Sequence, residues 1–248
     1  MVATGTGDNP IDMVNGSTLR FGGTGAGAFL VYDQGNTSPT VTLSGDLSAG
    51  QTLTVDGESN CGVGTTTVAA TGSFTNGGTI STADKAPGYG YCPQNHGNVV
   101  FTLPAGDTLT NSGTLSLLYN GQKSSVTEGV SQTVSGNLTN TGTINVGESG
   151  WPSSNVVLNG GTVVNEGAVN VDPGSIVTTS SATGVTNAVG GLITNQGGVT
   201  VQGTFEQDAG AVAQSQAITF TSSAPSNSKN PFRWKTPRCL LRSNFLAI

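Results

Sequence analysis

The sequence predicts an all-β fold, a single-stranded parallel β-helix (β-solenoid) of about six coils with an irregular C-terminal tail. Three observations carry this. One motif recurs at intervals close to one solenoid coil, residues within it alternate with period two, and the composition favours strands and turns over helices. Gly accounts for 38 of 248 residues and only 9% are charged. Little charge, with Thr and Val abundant, suits pleated half-buried strands joined by Gly and Asn turns. No strict three-residue period marks a collagen, and the β-richness argues against disorder.

The motif is clearest in "GNLTNTGTINV" (136–146). It returns as "GSFTNGGTIS" (72–81), "DTLTNSGTLSL" (107–117), "GTVVNEGAVNV" (161–171) and "GLITNQGGVTV" (191–201). Aligned on Asn, the copies place Asn76, Asn111, Asn140, Asn165 and Asn195 at spacings of 35, 29, 25 and 30 residues. A degenerate copy, "GDLSAGQTLTV" (45–55), puts Ala49 at the Asn position. Periods of this size indicate stacked supersecondary units, and a constant motif with variable spacing makes the motif structural and the insertions loops.

In the 136–146 copy Leu138, Asn140, Gly142, Ile144 and Val146 share one face, and Thr139, Thr141, Thr143 and Asn145 the other. Apolar residues point inward and Thr outward. One such strand cannot bury its face alone, whereas coils stacked in register form a continuous core. At about 4.8 Å per coil, six coils make a rod about 29 Å long. The inward Asn needs a reason. Asn tolerates the left-handed conformation, so it can turn the chain. Its amide also donates and accepts, so amides one coil apart can form a ladder. The Gly two residues later supplies flexibility, or room where a side chain would clash. The plainer reading makes each "TNxG" a solvated turn, but five copies in one register favour the ladder.

Division of the chain follows. Residues 1–40 are expected to be an irregular or capping segment, 41–220 the solenoid repeats, and 221–248 a basic, poorly ordered tail. All 14 acids lie at or before Asp208, where only Arg20, Lys85 and Lys123 oppose them, giving 3 − 14 = −11. The tail holds Lys229, Arg233, Lys235, Arg238 and Arg242 and no acid. An acidic body repels phosphates, so nucleic acid is not an expected partner. No run of 18 apolar residues exists to span a membrane. "MVATGTGDNP" lacks the basic start and apolar core of a secretory signal. The tail's Phe232, Trp234, Leu240, Leu241, Phe245 and Leu246 can cap an open coil edge. An altered reading frame or a truncated gene accounts better for its abrupt change of character.

The "L-T-N-x-G-T-I" units resemble the repeats of large secreted bacterial β-solenoids, the filamentous-haemagglutinin and autotransporter-adhesin type of surface protein, over roughly residues 40–212. The resemblance implies an extracellular or cell-surface location and a stalk or adhesive role. With a signal missing, it also leads us to expect that the chain is a fragment of a longer gene product, with a cytoplasmic protein as the alternative. Glycans or host and cell-surface molecules are the implied partners.

Cys61 and Cys92 lie 31 residues apart, about one coil. Neighbouring coils can bring Cα atoms within disulfide range, and a disulfide would agree with export. Two independent buried thiols are the alternative. Metal binding has little support, because no CxxC occurs and His96 is the sole histidine; no cofactor is expected. The insertions between motifs carry Tyr89, Tyr91 and His96 ("KAPGYGYCPQNHGN"), Tyr119 ("LLYNGQ") and Trp151 ("GESGWPSSN"). All follow the motif strand, so stacking should project them from one edge of the rod. Loops on a rigid scaffold commonly carry function, and rings offer flat faces to sugars. A glycan-binding ridge is therefore a candidate site, with ordinary edge packing as its alternative.

An enzyme is not expected. A glycosidase needs two carboxylates poised across a bond. The close pairs Asp56/Glu58 and Glu206/Asp208 fall in different coils, with no further acids at the coil spacing. A site resembling pectate lyase would want clustered acids and a basic residue, and Arg20, Lys85 and Lys123 lie outside the motif. The second reading keeps a carbohydrate-binding or polysaccharide-degrading β-helix, with its site on the aromatic insertions. A third comes from outward Thr columns able to order water: Thr75, Thr110, Thr139 and Thr194 broken by Val164, and Thr79, Thr114 and Thr143 followed by Ala168 and Gly198.

Overall fold

In the computed structural model the described residues are 11–13, 15–32, 38–57, 63–82, 96–118, 131–150, 153–215 and 218–220. Among them no helix forms; parallel strands stack as a β-solenoid. The chain visits three faces in rotation. Face I holds nine strands, Thr18–Arg20, Thr40–Ser44, Val63–Ala70, His96–Thr102, Gln132–Ser135, Asn155–Asn159, Ile176–Thr179, Gly198–Val201 and Ile218–Phe220. Face II holds six, Phe74–Asn76, Thr108–Asn111, Asn137–Asn140, Thr162–Asn165, Gly184–Asn187 and Thr204–Gln207. Face III holds nine, Ile11–Met13, Gly27–Tyr32, Gln51–Asp56, Thr79–Ser81, Thr114–Leu117, Thr143–Val146, Ala168–Val171, Leu192–Asn195 and Val212–Ser215.

The six strands of face II mark six coils with a strand on every side. Stacking also reaches further back than the repeats suggest. Ile11–Met13 pairs with Phe29–Val31, and Thr18–Arg20 with Thr42–Ser44. Residues 1–40 thus include strands of the rod, which corrects their reading as an irregular or capping segment. The template finds no copy there, yet Leu19, Phe29, Leu30 and Val31 are all buried. From the first to the last of nine strands there are eight coil spacings, about 38 Å. The last 28 residues, including Cys239 and the tail's apolar residues, lie outside the described residues.

Period-two alternation builds the core. Leu109, Leu138 and Val163 stack on face II, and Leu115 and Ile144 on face III, all at most 7% exposed. Each such side chain contributes about 1.5–3 kcal/mol through burial. One cluster runs from Leu19 to Val177; a second, Ile193, Val201 and Phe205, shares Val169, Val185 and Val199 with it. Face II begins only at Phe74, and aromatic packing closes that end. Phe21 meets Phe29 edge-on at 5.3 Å and Phe74 at 5.8 Å.

Candidate functional site

Asn140 ends a face-II strand and Thr143 begins a face-III strand, so the repeat spans a corner. There the inward amides form a continuous chain. Asn76 Nδ2 donates to Asn111 Oδ1 at 2.7 Å, Asn111 to Asn140 at 2.7 Å, Asn140 to Asn165 at 2.7 Å and Asn165 to Asn187 at 2.8 Å. Gln207 Oε1 ends the series, accepting from Asn187 at 3.1 Å. The second amide proton crosses the corner: Asn76, Asn111 and Asn140 donate to Thr114 O, Thr143 O and Ala168 O at 2.9–3.0 Å. Each rung therefore ties two faces of the next coil, and its burial makes those bonds hard for water to replace. All donors point towards the C-terminus, leaving Asn76 Oδ1 at the other end without a donor.

Several sequence expectations change. Asn195 is not a rung: it ends a face-III strand opposite Val171 and Ser215. Asn187 takes the place assigned to it, because "GVTN" (184–187) pairs residue for residue with "TVVN" (162–165). A template requiring Gly two residues after Asn missed Asn187, which is followed by Ala-Val-Gly-Gly. Asn195 instead stabilises its own corner, accepting from Gly197 N at 3.1 Å. At the degenerate copy Leu47, not Ala49, stands opposite Asn76. No ladder Asn has positive φ, so the left-handed conformation plays no part. The Gly serves close approach: a Cβ on Gly142 would sit 2.2 Å from Gly113 O, and one on Gly197 2.2 Å from Ser175 O.

Outward columns shift accordingly. Thr75, Thr110 and Thr139 do align, but Val164 is followed by Thr186 and Glu206 rather than Thr194. Thr79, Thr114, Thr143 and Ala168 align with Thr52 before them and Leu192, not Gly198, after them. Hydroxyl regularity breaks in both columns at the fourth clear copy, at Val164 and Ala168.

The three corners differ in length. From face II to face III the connections are 77–78, 112–113, 141–142, 166–167, 188–191 and 208–211. From face I to face II they are also short, the longest in the six full coils being 103–107. From face III to face I they are 57–62, 82–95, 118–131, 147–154, 172–175 and 196–197. The long insertions thus attach at one corner on consecutive coils, the edge opposite face II, and shorten towards the C-terminus. Where that corner is tightest, "TNQG" (194–197) occupies it. The motif is a code for a two-residue corner, used at either edge.

Of the residues expected to act there, Cys61, Cys92, Tyr89, Tyr91, Tyr119 and Trp151 lie outside the described residues, as does Glu58. His96 opens a face-I strand opposite Val63. Glu206 is exposed on face II while Asp208 turns the next corner. Among the described residues no three His, Cys, Asp or Glu side chains gather as a metal site, and no helix is long and apolar enough to cross a membrane. No protein-family model, curated protein or solved structure matches the chain.

Proposed function

We propose that the chain is a structural or adhesive segment of an exported surface protein of the filamentous-haemagglutinin or autotransporter type. In this reading the rod is scaffold, and the insertions at the corner between faces III and I meet glycans or other cell-surface molecules. It is a spacer and binding element and not a catalyst. The observation that supports it most is the segregation of long connections: 82–95, 118–131 and 147–154 leave one edge on three successive coils, while the opposite face has short turns on both sides. Segments displayed side by side on a rigid scaffold form one composite surface. A pure spacer would have no need to confine its insertions to one edge.

The fold supplies its own control. Exchanging 82–95 and 118–131 for the two-residue corner of Gln196–Gly197, with Asn before it, should leave the strand signal and cooperative melting intact. Binding of the chain to a glycan array, or to whole cells, should fall at least tenfold, and replacing Tyr89, Tyr91 and Trp151 by Ala should reproduce the loss. Unchanged binding after the exchange refutes the assignment to this edge. Binding by neither the parent nor the exchanged chain leaves the spacer role and removes the adhesive one.

A further inference from the structure

Face I carries an inward column of Thr66, Val99, Gln132, Val156, Val177 and Val199. Gln132 interrupts its apolar run. The residue is 1% exposed, and neither Nε2 nor Oε1 has a hydrogen-bond partner among the protein atoms. Ser154, on the adjacent coil, sits two residues ahead of Val156, the register partner of Gln132. It is also 1% exposed, and its Oγ likewise has no partner, although its backbone N–H donates to Ser175 Oγ at 3.1 Å. Buried polar groups in native proteins are satisfied, and internal water does this where no side chain can.

On the preceding coil the place two residues before Val99, the other register partner of Gln132, is Gly97, which adds no side chain there. Strand geometry places the Cα atoms of Gln132 and Ser154 about 8 Å apart, one coil up and two residues along. The two side chains do not bond each other. One molecule making hydrogen bonds of about 2.8 Å to each can bridge them. An amide and a hydroxyl offer donors and acceptors but no charge, which selects a neutral guest over an ion.

We propose that Gln132 and Ser154 bind an internal water, joining two consecutive coils at the corner between faces III and I. The site does there what the Asn ladder does at the opposite edge of face III: it satisfies polar groups across the coil step where the longest insertions attach. Coordinates from a high-resolution crystal of the whole chain should contain a water peak within hydrogen-bond distance of both Ser154 Oγ and the Gln132 amide. A double-mutant cycle with Gln132→Met and Ser154→Ala should be non-additive in melting temperature, since groups this far apart without a shared partner add independently. Should Gln132→Met fail to fold, oxygen-17 relaxation dispersion of the parent against Ser154→Ala reads the same thing, with one long-lived water lost. An empty or cation-filled site, additive melting shifts, or an unchanged number of long-lived waters would each overturn the proposal.

Discussion

Replacing Asn140 by Leu removes one central rung and little else. Asn140 is fully buried, and its amide makes three close contacts: it accepts from Asn111 Nδ2 at 2.7 Å, donates to Asn165 Oδ1 at 2.7 Å and donates to Ala168 O at 3.0 Å. Each is worth about 1 kcal/mol net. Asn165 Oδ1 then becomes a buried acceptor without its donor, adding about 1–3 kcal/mol. The larger apolar side chain returns about 1 kcal/mol through burial. The net loss is about 4 kcal/mol, and for a chain of this size a shift of about 10 °C in Tm is expected. Thr139, beside it but outward, is half-buried, and Thr139→Ser should stay within about 0.5 kcal/mol. Because solenoids can open coil by coil, the melt should be paired with hydrogen exchange resolved to residues 137–171. Faster exchange there in Asn140→Leu, and parent-like exchange in Thr139→Ser, is the expected result. Equal Tm shifts, or exchange that rises equally along the whole rod, would refute the ladder as the source of stability.

Asn195→Ala should cost less than Asn165→Ala in the same melts, because Asn195 serves its own corner while Asn165 is a buried rung bonded on both sides. Gly142→Ala should reduce soluble yield or lower Tm by more than 10 °C, since its Cβ would meet Gly113 O at 2.2 Å; Gly72→Ala, with nothing within 4 Å, should be silent. A small apolar cavity lies between Leu43, Val68, Ala70, Phe74, Phe101 and Leu103. Filling it with Ala70→Val should raise Tm by about 2–4 °C, roughly 1 kcal/mol; a fall would mean that the wall cannot yield.

Much of the architecture was legible because its signals are local. Alternation in "LTNTGTINV" follows from the opposed directions of successive side chains on a strand, and Leu138, Asn140, Ile144 and Val146 are all buried as it predicts. The clash that makes Gly142 obligatory is with Gly113 O on the preceding coil; it repeats at each such corner, so Gly recurs with Asn and shows in the sequence as a repeat. Assigning Asn195 to the ladder failed for a different reason. Which edge a motif copy occupies depends on the residues spent on every corner before it. The coil from Asn165 to Asn187 takes 22 residues, and the motif spacing of 30 passed over it. Gln132 was invisible for a related reason: a single Gln beside Val134 reads as an ordinary strand residue until its register partners Val99 and Val156 enclose it.

The sequence by itself determined that this chain forms parallel coils, which residues line their interior, and that Asn and Gly punctuate them. Those properties rest on side-chain polarity, on the alternation of successive side chains, and on a close approach repeated identically at each coil step. Tertiary structure alone decided the register: that Asn187 and Gln207 complete the ladder, and that Asn195 turns a different edge. Register is a collective quantity, fixed only when every strand pairs with the coils above and below it and every buried amide finds, or fails to find, a partner.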